Sequence, residues 1–163
     1  MDSRRKSRIL AFQALYFWES NQVPVEELCA FSWLEEEKLK SMSSGMAAFT
    51  KILIAGTIEN INIINSTIKD HLENWDISRV NRVDLAILRI SVYSLMYQNE
   101  IPPSIIIDEA IGICREYGAD DSFKFINGVL DSIKKTLLES SQPERQKQST
   151  RPKQRQQKQR DNG

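Results

Sequence analysis

Two clusters carry the residue types that recognise nucleic acid. From Tyr117 to Asp131 the chain reads Tyr-Gly-Ala-Asp-Asp-Ser-Phe-Lys-Phe-Ile-Asn-Gly-Val-Leu-Asp, and near its start stand Arg4, Arg5, Lys6 and Arg8. Rings offer faces on which unpaired bases stack, and cations neutralise phosphates, so this pairing at helix ends suits a single strand. Gly118 closes one helical pattern and Asp121 with Ser122 opens the next, which sets Tyr117, Lys124 and Phe125 at a joint. Arg4 and Arg8 are one helical turn apart, and Phe12 and Tyr16 continue their row, whose drift also permits Tyr16 to enter the core. The same step sets Asp121 beside Phe125. That ring faces either the core or a bound strand, while Lys124 points outward.

Other chemistries find little support. His71 is the only histidine, so a histidine triad or a multi-histidine metal site is excluded. Cys29 and Cys114 lack metal-ligand spacing and read as small buried hydrophobes rather than a disulfide. There is no glycine-rich phosphate loop and no His-Glu-x-x-His motif. The acid pairs Asp108-Glu109 and Asp120-Asp121 are expected in first turns of helices, where the helix dipole favours negative charge. No catalytic residue, metal or cofactor is expected.

The formal net charge is zero, but it is unevenly spread. Residues 142–163 hold seven lysines and arginines against two acids, a net +5, and residues 1–8 carry +3, which leaves −8 for the body between. An acidic body with basic ends suits a local nucleic-acid patch and a basic protein partner, not a wholly basic coat. There is no signal peptide, and no apolar run is long enough to cross a membrane. A cytoplasmic protein is expected.

Those clusters need rigid carriers, and the periodicity supplies helices. Sustained period-two alternation is absent. Ser3 can cap a first helix to about Glu19, apolar nearly all round from Ile9 to Trp18 and so packed on several sides. Pro24 opens a short helix to Phe31, and Glu35 to Glu37 form a solvated face. After Ser43, Ser44 and Gly45 one long helix is expected to about Leu72, with Gly56 marking a close helix crossing. Ser78 is the expected cap of a helix to Tyr97, and Ser104 that of a helix closed by Gly118. The last helix turns Ile126, Val129, Leu130, Ile133 and Leu137 inward. Residues 142–163 contain no aromatic or aliphatic side chain and read as a disordered basic tail. The expected fold is all-α, a compact bundle of about seven helices.

These residues resemble the NusB family of transcription antitermination factors over roughly residues 3–138. The resemblance is carried by Arg4-Arg-Lys-x-Arg8 and Gln13-Ala-Leu-Tyr-x-Trp18, by Trp75, Val83-Asp-x-Ala-Ile-Leu-Arg89 and Tyr93, by Ile101-Pro102 and Asp108-Glu-Ala-Ile111, and above all by Gly118-Ala-x-Asp-Ser122 with Lys124-Phe-Ile-Asn-Gly-Val-Leu-Asp131. It implies a helical domain over residues 1–141, in two packed halves of about 1–72 and 73–141, and no catalysis. Relatives bind boxA RNA of ribosomal leader transcripts as a heterodimer with NusE, a small-subunit ribosomal protein, and join RNA polymerase. Carried over by position, Arg4, Arg5, Lys6 and Arg8 meet RNA phosphates, and Tyr117, Asp121, Ser122, Lys124 and Phe125 form a second RNA-facing patch. His71 falls where some relatives carry an aromatic near the RNA. Asp84 and Tyr16 lie toward NusE, and Asp84 is expected to be exposed or paired, because a buried lone carboxylate is costly.

Asp108 stands where relatives usually carry asparagine, and Phe123 where a polar residue is common. RNA cytosine methyltransferases also carry a NusB-like domain, but no cofactor-binding glycine loop is present here. A homodimeric module is the other alternative, since some relatives self-associate.

The basic tail lies outside the family pattern. Removing residues 142–163 is expected to leave the melting temperature and NusE binding unchanged, because no apolar group there can join a core. Non-specific RNA affinity at low salt should fall. A destabilised truncated protein would contradict this.

Overall fold

The computed structural model describes residues 3–73 and 76–140. The expected disorder of residues 142–163 and the motif residue Trp75 fall outside them. Within the described residues the chain is all-helical, with eight α-helices and one 3₁₀ turn: α1 (Ser3–Asn21), α2 (Val25–Cys29), α3 (Glu36–Ser41), α4 (Ser44–Glu59), α5 (Ile61–Asp70), the 3₁₀ turn Ile77–Arg79, α6 (Arg82–Tyr97), α7 (Pro103–Tyr117) and α8 (Ser122–Ser140).

The core is organised around α6. Residues Asp84 to Val92 are buried without interruption, as are Ser94 and Leu95. A helix buried on every side must be covered on every side, and α1, α4, α5, α7 and α8 all pack on it. Each fully buried Leu, Ile or Val contributes about 1.5–3 kcal/mol. Among the buried charged side chains, that of Arg89 links three helices. Arg89 is 6% exposed; its Nε donates to Asn65 Oδ1 at 3.0 Å and its Nη1 to Glu19 Oε2 at 2.8 Å. It thereby ties α6 to α5 and to the end of α1.

Three local expectations are corrected. The long helix after Ser43 is two helices, bent by 74°. Ser43 does cap its start, accepting from the Met46 amide. At Asn60 the backbone leaves helical geometry, and the side-chain amide donates to the Gly56 carbonyl at 2.8 Å. Asparagine favours such local bonds over helix continuation. Ser78 is not the cap of α6. It sits in the 3₁₀ turn, its amide bound by Asp76, and Asn81 Oδ1 caps α6 by accepting from the Val83 amide at 2.8 Å. Ser104 does not cap α7, which starts instead with Pro102 at the cap position and Pro103 in the first turn, where a missing N–H is harmless. As expected, α1 packs on several sides, against α4, α6, α2 and α7, while Tyr16 and Phe17 are each 37% exposed.

The close crossing expected at Gly56 is present. A β-carbon there would collide with the Tyr93 ring, so α4 and α6 approach through the space glycine leaves. Gly56→Ala would gain about 1 kcal/mol of helix propensity. Overpacking against Tyr93 should outweigh it, at about 1–3 kcal/mol. Denaturant unfolding should therefore show net destabilisation, which vanishes or reverses in a Tyr93→Ala background.

Candidate nucleic-acid interface

The four N-terminal cations project in three directions. Arg4 and Arg8 turn to α4, with Cζ 3.9 and 5.5 Å from the centroid of the Phe49 ring. Arg8 is buried and Arg4 exposed. Arg5 turns to α7, where its Nε donates to Glu109 Oε2 at 2.9 Å. Lys6 faces outward. Glu109 therefore serves as an ion-pair partner in the interior of α7, and the expectation that Asp108 and Glu109 lie in a first turn is corrected. Asp120 and Asp121 likewise precede α8, since its first residue is Ser122.

The second cluster forms the joint between α7 and α8. Tyr117 ends α7 at 40% exposure, and its ring meets Phe12 of α1 edge-on at 5.3 Å between centroids. This contact brings the joint against α1, and Lys6 and Tyr117 border one cleft together with Gln13 and Lys38. Burial pushes the Tyr117 hydroxyl pKa up, and Glu116 adds to the shift. Asp121 and Lys124 are exposed, while Ser122 and Phe125 are half-buried, Phe125 packing on the core. His71 stands apart. It follows α5, with Nδ1 bonded to the Thr67 carbonyl at 2.8 Å and Nε2 to the Thr136 hydroxyl at 2.9 Å. Thr136 is about 16 Å along α8 from Phe125, at about 1.5 Å per residue.

Tyr16 opens onto a neighbouring cleft with Phe17, Trp33, Leu34 and Val83. Trp33 is fixed by donating Nε1–H to the Leu28 carbonyl at 2.9 Å, and its ring lies 5.6 Å from that of Phe17. Sequence reasoning singled out Tyr16 but not the cleft itself, because the position of Trp33 against Phe17 depends on a contact between segments that local spacing does not show. The available signal was Tyr16-Phe-Trp18 beside Trp33, more ring surface than one small core requires.

Asp84 is 4% exposed, so its carboxylate is not presented to a partner in this conformation. It lies in the first turn of α6, where the helix dipole favours it. The Cys114 thiol donates to its Oδ1 at 3.8 Å. Burial, and then the adjacent carboxylate, push the Cys114 pKa up to about 11. Gly118 lets the end of α7 settle here, because a β-carbon would fall 2.7 Å from the Cys114 carbonyl and 3.2 Å from Asp84 Oδ1. Both cysteines are free, Cys114 buried and Cys29 only half-buried, so the expectation of two buried small hydrophobes holds for Cys114 alone. Among the described residues no cluster of His, Cys, Asp and Glu is arranged to hold a metal, and no single helix is long and apolar enough to cross a membrane.

An all-helical scaffold with a cationic helix start, a ring-bearing joint and an aromatic cleft on adjoining surfaces defines a binding protein. The NusB family matches residues 5–135, and the chain belongs to that family. A Treponema denticola protein named transcription antitermination protein NusB is 51% identical over 131 residues, covering 80% of this chain and 95% of its own length. The protein of that name from Borreliella burgdorferi is 41% identical, covering 80% and 92%. Thermotoga maritima NusB superposes with a TM-score of 0.73 at 33% identity, covering 81% of this chain and 90% of the other. A structure described as antitermination factors NusB and NusE in complex with dsRNA matches with a TM-score of 0.74 at 29% identity, covering 83% and 98%.

The burial of Asp84 changes what its substitution reports. Asp84→Lys places an ammonium beneath α7 and should lower stability by about 3–5 kcal/mol, the scale for an uncompensated buried charge. Urea unfolding followed by circular dichroism measures this. An unchanged midpoint would show that α7 readily releases the side chain.

Proposed function

We propose that this protein is a transcription antitermination factor that binds boxA-type single-stranded RNA as a heterodimer with NusE and joins the RNA polymerase antitermination complex in the cytoplasm. The observation that carries the reading is the Phe12–Tyr117 contact, which joins the basic start of α1 and the ring-bearing joint into one surface. Arg4 and Lys6, both exposed, supply phosphate contacts, and Arg5 and Arg8 shape the base of that surface. Tyr117 and Phe125 offer rings, with Asp121, Ser122 and Lys124 around them. The family relatives named for antitermination, and a relative solved with NusE and RNA, support this reading.

The aromatic cleft around Tyr16 is the docking surface for NusE. Asp84, buried near the start of α6, holds α7 in register rather than touching the partner. The acidic body suits a basic partner at this place.

The test is titration of a boxA-type RNA at several salt concentrations, with and without NusE. The protein should bind, and more tightly with NusE. Neutralising Arg4 and Lys6 should weaken binding and flatten the log–log salt slope by about 0.7 for each phosphate no longer neutralised. An unaltered slope would remove the α1 start from the RNA path. Failure of Tyr16→Asp to weaken NusE binding would move the partner elsewhere.

A further inference from the structure

We infer that Arg115, held over the ring of Phe123, is a stacking platform for an unpaired base at the α7–α8 joint. The inference rests on the RNA-binding reading above and extends it to two residues that neither RNA-facing patch includes. Arg115 is an exposed residue in the last turn of α7, and its Cζ lies 4.6 Å from the centroid of the Phe123 ring. Phe123 is half-buried against the core, so the ring beneath the guanidinium is anchored. Lys124 approaches the same ring from α8, with Nζ 5.9 Å from its centroid. A planar guanidinium held on an aromatic face has surrendered rotamer freedom before a ligand arrives, and its other face can stack. Tyr117, at the end of the same helix and 40% exposed, offers a further ring at the joint, on the side that meets Phe12 of α1.

The charge around the joint selects a base over a phosphate. Between residues 115 and 124 the two cations Arg115 and Lys124 are outnumbered by Glu116, Asp120 and Asp121. All three acids are exposed. Such a rim does not draw in phosphates, but a neutral base face meets no repulsion, and stacking tolerates any base. The joint thus holds bases while the start of α1 holds the backbone. Phosphate contacts set the salt dependence of binding and stacking contacts do not.

Two variants of the full chain test the division: Arg115→Lys keeps the charge but removes the planar fork, and Phe123→Leu removes the ring beneath it. Each is titrated with a labelled boxA-type single-stranded RNA across a salt series, beside Lys6→Ala. The expected result is an affinity at least about fivefold weaker for Arg115→Lys and Phe123→Leu, the low end for loss of one base stack, at an unchanged salt slope. Lys6→Ala should flatten the slope. Wild-type affinity in Arg115→Lys, with Lys6→Ala impaired, overturns the platform and leaves the RNA reading intact. Absence of RNA binding by the unaltered protein, with and without NusE, overturns both. Should Phe123→Leu fail to fold, the exposed Arg115→Lys decides alone.

Discussion

The burial of α6 on all sides constrains everything else. Eleven of its sixteen residues are buried, so it has little solvent face to lend and its neighbours must close around it. The crossing at Gly56 fixes how near α4 can come, and the Arg89 bonds to Glu19 and Asn65 fix where α1 and α5 sit along it. The buried guanidinium is satisfied only in one register of these helices. Removing one partner of such a group is costly, because it leaves an uncompensated buried charge. The functional surface inherits this rigidity, because α1 and α7, which carry its two parts, rest directly on α6.

Helix identity was legible wherever apolar residues recur with helical period, and Ile126, Val129, Leu130 and Ile133 point inward as the pattern of α8 requires. Boundaries were less legible, because several side chains compete to cap. Ser78 and Asn81 both suit an N-cap, and only the 3₁₀ turn between them decides for Asn81. The break at Asn60 was present in the sequence as a five-residue step from Gly56 to Ile61, too long for one turn of an unbroken stripe. Periodicity alone reads that step as tolerable scatter. The asparagine side chain turns it into a bend.

The candidate site was legible in its residue types but not in its directions. Arg4, Arg5, Lys6 and Arg8 read as one basic patch, yet helical geometry turns successive side chains about 100° apart. They reach Phe49, Glu109 and solvent. Partners distant in sequence, such as Glu109 at 104 positions from Arg5, are invisible to local spacing. The placement of Asp84 was similarly hidden. A single acid in an apolar helix start looks like a surface residue until α7 is found lying over it, with Gly118 making the room.

That overlying contact has a chemical corollary. With its pKa at about 11, Cys114 is ionised in on the order of one molecule in ten thousand at neutral pH. The thiolate is the species that attacks peroxides, disulfides and electrophiles. Burial beneath the helices and the carboxylate of Asp84 therefore work together as a preservative, keeping the sulfur reduced by denying it the form that oxidises. Covalent damage or labelling at sulfur falls first on the half-buried Cys29, at the end of α2, where a modification leaves the α6–α7 contact undisturbed.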